Sequence, residues 1–200
     1  GYDWPWYGQI KSTLSGFNID ALHDRMSNYS PNEVYTHHTG PNASYFRFLE
    51  NHDETRIAEV FQSNAARTLP AAAVMLTGPG TPLIYAGQEI GWRGRRNRIA
   101  FGNPPSPEFL PYYRKLTGLR GEYRSLRSRW INRLDNSTGG VYSYLRPMVD
   151  ENILTIANFR DLSVPVTVEL AVTDLDVSSP LLEGTTYYLN DLMHDSTYAV

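Results

Sequence analysis

The sequence predicts an α/β part built on a parallel sheet, followed by an all-β part that forms an antiparallel β-sandwich. In residues 1–133, short apolar runs alternate with helical patterns, which is typical of a parallel sheet covered by helices. After residue 140 only strand-like segments follow, at a spacing of roughly ten residues, as in all-β modules. The polar, turn-forming segment 134–140 separates the two parts. We therefore expect two domains, residues 1–133 and residues 134–200.

The first part is predicted to alternate helices with buried strands. In chain order, the elements are a helix with Ile19, Leu22 and Met26 on one face, a buried strand over 45–49, a buried helix over 65–76, a second buried strand over 82–86 and a helix that opens at Ser106. Pro70 predicts a kink or a later start in the helix over 65–76, because proline has no amide hydrogen to donate. Gly78-Pro79-Gly80 should end that helix.

The helix from Ser106 combines a serine N-cap, Pro107 at its first position and the early acid Glu108. Its predicted apolar stripe consists of Phe109, Tyr112, Leu116, Leu119, Tyr123 and Leu126. In the second part, the predicted strands are Val141–Leu145, Ile153–Phe159, Val164–Leu170 and Thr185–Leu189.

Composition excludes several classes of protein. The 200 residues carry a net charge of −3, which argues against a nucleic-acid partner. No apolar run approaches the ~18 residues of a transmembrane helix, so we expect no membrane partner. Cysteine is absent, which rules out disulfides, thiolate zinc sites and a cysteine nucleophile. The first residues are aromatic and acidic, unlike a signal peptide, and the compartment stays open.

The most informative stretch runs from Phe48 to Arg56, where an apolar strand leads into a cluster of titratable side chains. Ligands of α/β proteins sit at the carboxyl ends of parallel strands, so this cluster lies where chemistry is expected. A structural alternative is a solvated loop that caps the next helix through Asp53 or Thr55. Both interpretations stay open on spacing alone.

A second strand ends in the same way, at Gly87 and Glu89. Gly87 is expected in a left-handed conformation, and a structural role is favoured for Glu89. His37 and His38 are adjacent and do not share a face, so we predict no metal site. Three segments match the glycosylation pattern, which is too short to be informative; they begin at Asn28, Asn42 and Asn136.

Five motifs in chain order resemble the α-amylase family, glycoside hydrolase family 13. Phe-x-x-Asn-His-Asp, here Phe48 to Asp53, resembles the family's fourth signature region, and Gly80 to Glu89 is similar to its strand-eight signature. The remaining resemblances are Tyr2–Trp4 to the sixth barrel strand, Tyr113–Arg120 to the last barrel helix, and 153–159 with 189–193 to the C-terminal β domain. The resemblance implies the last βα units of a (β/α)8 TIM barrel, about strands six to eight, followed by the β-sandwich.

The resemblance also implies roles for three residues. Asp53 would be the transition-state stabiliser, while His52 and Arg56 would bind substrate. The loop of Trp92 and the arginines after it would line the far side of the cleft, although it departs from the family's Asp-x-x-Arg-x-Pro pattern. Gly16 to Ala21 is similar to the nucleophile motif, but Asn18 replaces its arginine and Asp20 lies only 33 residues before Asp53, about one βα repeat.

We therefore expect the nucleophile and the general acid to lie outside this chain, in a missing N-terminal part of the barrel; Asp20 is interpreted as a helix residue, and Glu33 is a poor acid candidate. The expected substrates are α-glucans or maltooligosaccharides, and the chain alone should be inactive. No cofactor is predicted here, although calcium is expected to be bound, if at all, by upstream loops of the parent. Open sheet edges predict self-association. Two alternatives stay open, a non-catalytic carbohydrate-binding module and an independent interaction protein.

Overall fold

The computed structural model describes residues 1–27, 45–61, 64–179, 182 and 184–199. In this part of the chain the helices are α1 Trp4–Gly16, α2 Ile19–Ser27, α3 Ile57–Val60, α4 Leu69–Thr77 and α5 Phe109–Glu122. The strands are β1 Phe46–Phe48, β2 Thr81–Leu83, β3 Asn132–Arg133, β4 Val141–Arg146, β5 Ile153–Asn158, β6 Tyr188–Asp191 and β7 Ser196–Ala199. Short 3-10 turns cover Ala65–Thr68, Gln88–Ile90, Ser125–Arg127 and Val172–Asp174.

The predicted parallel pairing is confirmed. β1 and β2 run parallel, with Phe46 opposite Thr81 and Phe48 opposite Leu83. Tyr2 forms a further parallel bridge to Phe46, as a neighbouring barrel strand would, but Trp4 already begins helix α1. β2 is less buried than predicted, because β1 is its one strand neighbour among the described residues.

Helix α4 begins where the proline predicts. Residues Ala65–Thr68 form a 3-10 turn, and α4 starts only at Leu69, with Pro70 in its first turn. At that position a proline loses no helix hydrogen bond. The helix ends at Thr77, and the Gly78 amide donates to the Val74 carbonyl at 2.9 Å. The predicted later start and the predicted stop are both confirmed.

Two other helices test the sequence patterns in different ways. Ile19, Leu22 and Met26 are all buried on α2, as predicted. The predicted start of α5 at Ser106 is wrong, since the helix begins at Phe109 without a side-chain cap. Ser106 is instead buried, and its amide donates to the Ile90 carbonyl at 3.1 Å, which ties this segment to the preceding loop.

The all-β part forms two separate antiparallel sheets, β3-β4-β5 and β6-β7. β4 and β5 match their predicted strands closely, and β6 begins three residues after the predicted start. The predicted strand 164–170 is wrong, because only Val168 bridges, to Asn136. Amides of this segment exchange hydrogen bonds with the turn around Ser137 instead. β3 pairs with β4 across the 134–140 segment; the sandwich packing and the boundary at 133/134 stay predictions.

The main core lies between helices α1, α2, α4 and α5 and extends to β4 and β5 through Tyr142, Tyr144 and Ala157. Buried arginines fix the ends of these elements. Arg47 on β1 donates to the carbonyls of Arg25 at 3.0 Å and Pro79 at 2.8 Å, and Arg146 on β4 donates to the last carbonyl of α4, that of Thr77. Among the described residues, no helix combines the length and apolar character that crossing a bilayer requires.

Candidate functional site

The candidate site lies at the edge where parallel strands β1 and β2 both end. The first loop, residues 50–56, follows β1, and the second loop, residues 87–98, follows β2. Because the strands are parallel and in register, their carboxyl ends present these two loops side by side. This is the edge at which α/β proteins bind ligands.

His52 and Asp53 are the accessible titratable pair of the first loop. The His52 Nε2 lies 3.1 Å from the Asp53 Oδ2, and the Asp53 side chain is 57% exposed. The Asn51 Oδ1 fixes the backbone beneath them, because it accepts the amides of Asp53 at 2.9 Å and Glu54 at 3.1 Å. Asp53 therefore lies within a turn capped by the Asn51 side chain and faces solvent, where a ligand can reach it.

Arg96 of the second loop contacts both residues of this pair. Its Nε donates to the His52 carbonyl at 2.9 Å, and its guanidinium also pairs with the Asp53 Oδ1. A charged hydrogen bond from arginine to carboxylate fixes orientation as well as distance. The family resemblance implied that this loop lines a cleft, but the sequence did not indicate which arginine reaches Asp53.

Arg56 lies behind the site, in a buried ion pair. Its Nη1 is 2.6 Å from the Glu50 Oε1, and both side chains are only 1% exposed. The other Glu50 oxygen accepts the Ile57 amide at 2.8 Å. Burial raises the pKa of the Glu50 carboxyl, and the hydrogen bonds from Arg56 and Ile57 oppose this rise in part.

Two further contacts complete the surroundings of Arg56. Its Nε donates to the Gly94 carbonyl at 3.0 Å, and its guanidinium stacks 4.0 Å from the centre of the Tyr85 ring. The structure therefore surrounds Arg56 with protein groups from both loops. The substrate-binding role that the resemblance implies for Arg56 stays a prediction.

Tyr7 joins the site from helix α1, a contact that the sequence analysis missed. Its hydroxyl donates to the Glu54 Oε2 at 2.7 Å and accepts from the Lys11 Nζ at 3.0 Å. Burial, followed by the Glu54 hydrogen bond, raises the pKa of Tyr7. The available signal was the four-residue spacing of Tyr7 and Lys11, which places them on one helix face.

The remaining carboxylates have local structural contacts. Asp20 lies in the first turn of α2 and forms an ion pair with Arg133, as its interpretation as a helix residue requires. Glu89 accepts the Gly87 amide at 2.9 Å, and the predicted left-handed conformation of Gly87 is confirmed by its φ of 95°. Both acids therefore have structural partners.

Several candidates lie outside the described residues, namely Glu33, His37, His38 and the glycosylation patterns at Asn28 and Asn42. At the third pattern, the Asn136 amide nitrogen donates to the Val141 carbonyl at 3.1 Å. In the described part of the chain, no three His, Asp or Glu side chains gather in a way that could hold a metal ion.

Comparison with known protein families identifies the family of this chain. The α-amylase catalytic-domain family matches residues 10–129, which is more than half of the chain and includes both loops. The chain belongs to the α-amylase family. The resemblance carried by the sequence motifs is thereby confirmed at the level of the family.

Individual relatives agree with this membership. The chain is 49% identical to the α-amylase MalA of Haloarcula japonica over 59 residues. This aligned segment covers 30% of this chain and 9% of that protein. A maltogenic α-amylase, AmyB of Thermotoga neapolitana, superposes with a TM-score of 0.73 at 20% identity, over 99% of this chain and 45% of that one. An α-amylase of Geobacillus thermoleovorans, solved in complex with acarbose, superposes with a TM-score of 0.60 at 27% identity, over 76% of this chain and 35% of that one.

The superpositions establish the fold class of the chain. They place it among α-amylase structures, which are TIM-barrel enzymes. The chain spans less than half the length of each of the three relatives described above. The chain therefore corresponds to only a part of the length of such an α-amylase.

Proposed function

We propose that this chain supplies the Asp53 side of the active site of a retaining α-glycosidase. The substrates would be α-glucosidic bonds of starch-like glucans or oligosaccharides. The observation that carries the proposal is the exposed His52–Asp53 pair at the carboxyl edge of β1 and β2, in a chain of the α-amylase family. The acarbose complex of the Geobacillus relative supports an oligosaccharide ligand.

In the proposed mechanism Asp53 and His52 bind the sugar at the scissile bond. Hydrogen bonds to ring hydroxyls that strengthen in the oxocarbenium-like transition state contribute several kcal/mol. The Asp53 carboxylate can accept hydrogen bonds from sugar hydroxyls through the lone pairs that Arg96 leaves open, since each oxygen accepts two hydrogen bonds. Asp53 would in this way stabilise the distorted sugar ring.

Bond cleavage needs two more carboxyl groups, about 5–5.5 Å apart, as nucleophile and acid/base. We assign neither role to Asp20, which lies in the first turn of α2 and not at a strand end, or to Glu89, whose carboxylate accepts the Gly87 amide. We propose that both groups come from a preceding part of the barrel in a longer protein, and that this chain alone is inactive.

Two exposed aromatic rings near β1 support such a larger barrel. Trp4 is 39% exposed, and it packs edge to face on the buried Phe48 ring, with the ring centres 5.1 Å apart. The neighbouring Phe46 is 44% exposed, although a barrel interior would bury it. We propose that residues 1–133 are the last βα units of the barrel and that residues 134–200 form its β-sandwich domain. Without the preceding strands, these exposed rings would favour self-association.

A carbohydrate-binding module is the second candidate, favoured by the exposed rings of Tyr188 on β6 and Tyr198 on β7. Tyr188 pairs with Ala199 and Tyr198 pairs with Leu189, so the two tyrosines lie on opposite faces of the hairpin. A flat sugar platform needs its rings on one face, which makes this candidate the weaker one. Starch binding that is lost in Tyr188→Ser or Tyr198→Ser, but kept in Asp53→Asn, would establish the module.

The deciding experiment measures reducing-sugar release from maltooligosaccharides. The 200-residue chain and Asp53→Asn should both give background release, whereas a longer protein that contains the chain should be active and should lose activity with Asp53→Asn. Release by the 200-residue chain that Asp53→Asn abolishes would overturn the fragment proposal. Full activity of Asp53→Asn in the longer protein would overturn the role of Asp53.

A further inference from the structure

Each of the two loops of the site donates hydrogen bonds to the other through one arginine side chain. Arg56 of the first loop donates to the Gly94 carbonyl of the second loop at 3.0 Å. Arg96 of the second loop donates to the His52 carbonyl of the first loop at 2.9 Å and pairs with the Asp53 carboxylate. We propose that this exchange, here called the arginine clasp, makes Arg96 a positioning residue for Asp53. The proposal rests on the role of Asp53 in the proposed function.

The inner half of the clasp provides a rigid base. Arg56 is buried against Glu50, and its guanidinium stacks on Tyr85, two residues beyond the end of β2. Glu50 also accepts the Ile57 amide, at the start of α3. Because one buried guanidinium joins groups from both loops, the position of Gly94 is fixed relative to β1, and Arg96 follows only two residues later.

The outer half of the clasp fixes the orientation of the Asp53 carboxylate. Arg96 occupies Oδ1, while the His52 Nε2 lies 3.1 Å from Oδ2. With Oδ1 paired to Arg96 and Oδ2 close to the His52 ring, the carboxylate plane has one preferred setting, and lone pairs on both oxygens remain for sugar hydroxyls. The same guanidinium also holds the backbone at His52, so both proposed sugar contacts move together with Arg96.

The exposure of the Arg96–Asp53 ion pair separates a positioning role of Arg96 from a role in folding stability. The side chains of Arg96 and Asp53 are 64% and 57% exposed, and an exposed ion pair adds little to folding stability. Its geometric effect on catalysis can be larger, since a misplacement of ~1 Å at a reacting centre can lower a rate by ~100-fold. Loss of Arg96 should therefore lower the rate of reaction much more than the stability of the fold.

The test combines kinetics with a measurement that needs no activity. In the longer protein, kcat and KM for maltoheptaose are measured for Arg96→Met, Arg96→Lys and Arg114→Met. Arg114 is the matched control, because it is exposed on α5 and has no ion pair with a described residue. In the 200-residue chain, NMR measures amide hydrogen exchange at Asp53 and Glu54 in the same variants.

We expect Arg96→Met to lower kcat by about tenfold or more, with a smaller change in KM, and Arg96→Lys to recover part of kcat because its charge remains. Exchange at Asp53 and Glu54 should rise, by up to about fivefold, as expected for losing an exposed ion pair. Arg114→Met should change neither. A kcat of Arg96→Met within twofold of wild type, in a protein that Asp53→Asn inactivates, would overturn the clasp alone. Unchanged exchange would overturn it whatever the activity, whereas an active Asp53→Asn would overturn the proposed function.

Discussion

The buried Glu50–Arg56 pair allows a prediction with a defined pH dependence. Arg56→Met leaves a carboxylate that is 1% exposed without its countercharge, and breaking a buried ion pair in this way typically lowers stability by about 3–5 kcal/mol. Burial already raises the pKa of Glu50, and removing the Arg56 hydrogen bond raises the pKa further. In the folded variant, Glu50 therefore holds its proton to higher pH than in the unfolded chain.

The sign of the pH effect follows from proton linkage. Above the unfolded pKa, about 4.5, the folded state binds more protons at Glu50 than the unfolded state, so stability falls as pH rises until Glu50 ionises in the fold. The loss caused by Arg56→Met should therefore be smaller at pH 5 than at pH 7. Urea unfolding at both pH values measures this difference.

Two variants control the measurement. Glu50→Gln combined with Arg56→Met removes the titrating group, so the stability that this double variant loses should no longer depend on pH. The unfolding free energy of Arg114→Met should stay within about 0.5 kcal/mol of wild type. A loss below about 1 kcal/mol at pH 7, or a loss equal at the two pH values, would refute the reasoning that Glu50 is a buried carboxylate neutralised by Arg56.

Three further predictions concern the scaffold of the site. Burial lowers the pKa of His23, which contacts the Tyr142 hydroxyl at 2.8 Å; wild type should lose more stability than His23→Gln as pH falls from 7.5 to 5.5, in paired urea titrations. Gly87→Ala should lower the unfolding free energy by about 1–2 kcal/mol, because φ is 95° and the new Cβ would lie 2.9 Å from the Trp92 Cβ; a melting temperature equal to wild type would contradict this. Arg146→Met should lower the unfolding free energy by about 2–4 kcal/mol, since it leaves the buried Thr77 carbonyl of α4 and the partly buried carbonyls of Ser128 and Trp130 without their donor. Denaturant midpoints test this against Arg114→Met.

The sequence located the candidate site because strand ends are local signals. An apolar run that stops at a polar cluster predicts both the strand and the edge at which it ends, and this was enough to place His52 and Asp53. The motifs around Gly80 to Glu89 similarly placed the second loop. Local rules of proline and glycine also predicted the start of α4 and the conformation of Gly87.

The partners of these residues could not be predicted, because they join distant segments. Arg96 contacts Asp53 across 43 positions, and Tyr7 contacts Glu54 across 47, separations over which no periodicity acts. The predicted strand 164–170 failed for a related reason. Its alternating apolar residues resemble a strand, but its amides and carbonyls find their partners in the turn around Ser137 rather than in a ladder.

The side chains around the candidate site are buried on one side of Asp53 and exposed on the other, as expected if another part of the barrel completes the site. Behind Asp53, the Glu50–Arg56 pair is closed to water, while Asp53 itself remains open. In the proposed mechanism Asp53 acts alongside two further carboxyl groups, so its carboxylate would have to face them and be held from the opposite side. The arginine clasp meets both requirements, because it holds Asp53 from its own chain and leaves oxygen lone pairs free toward the open face.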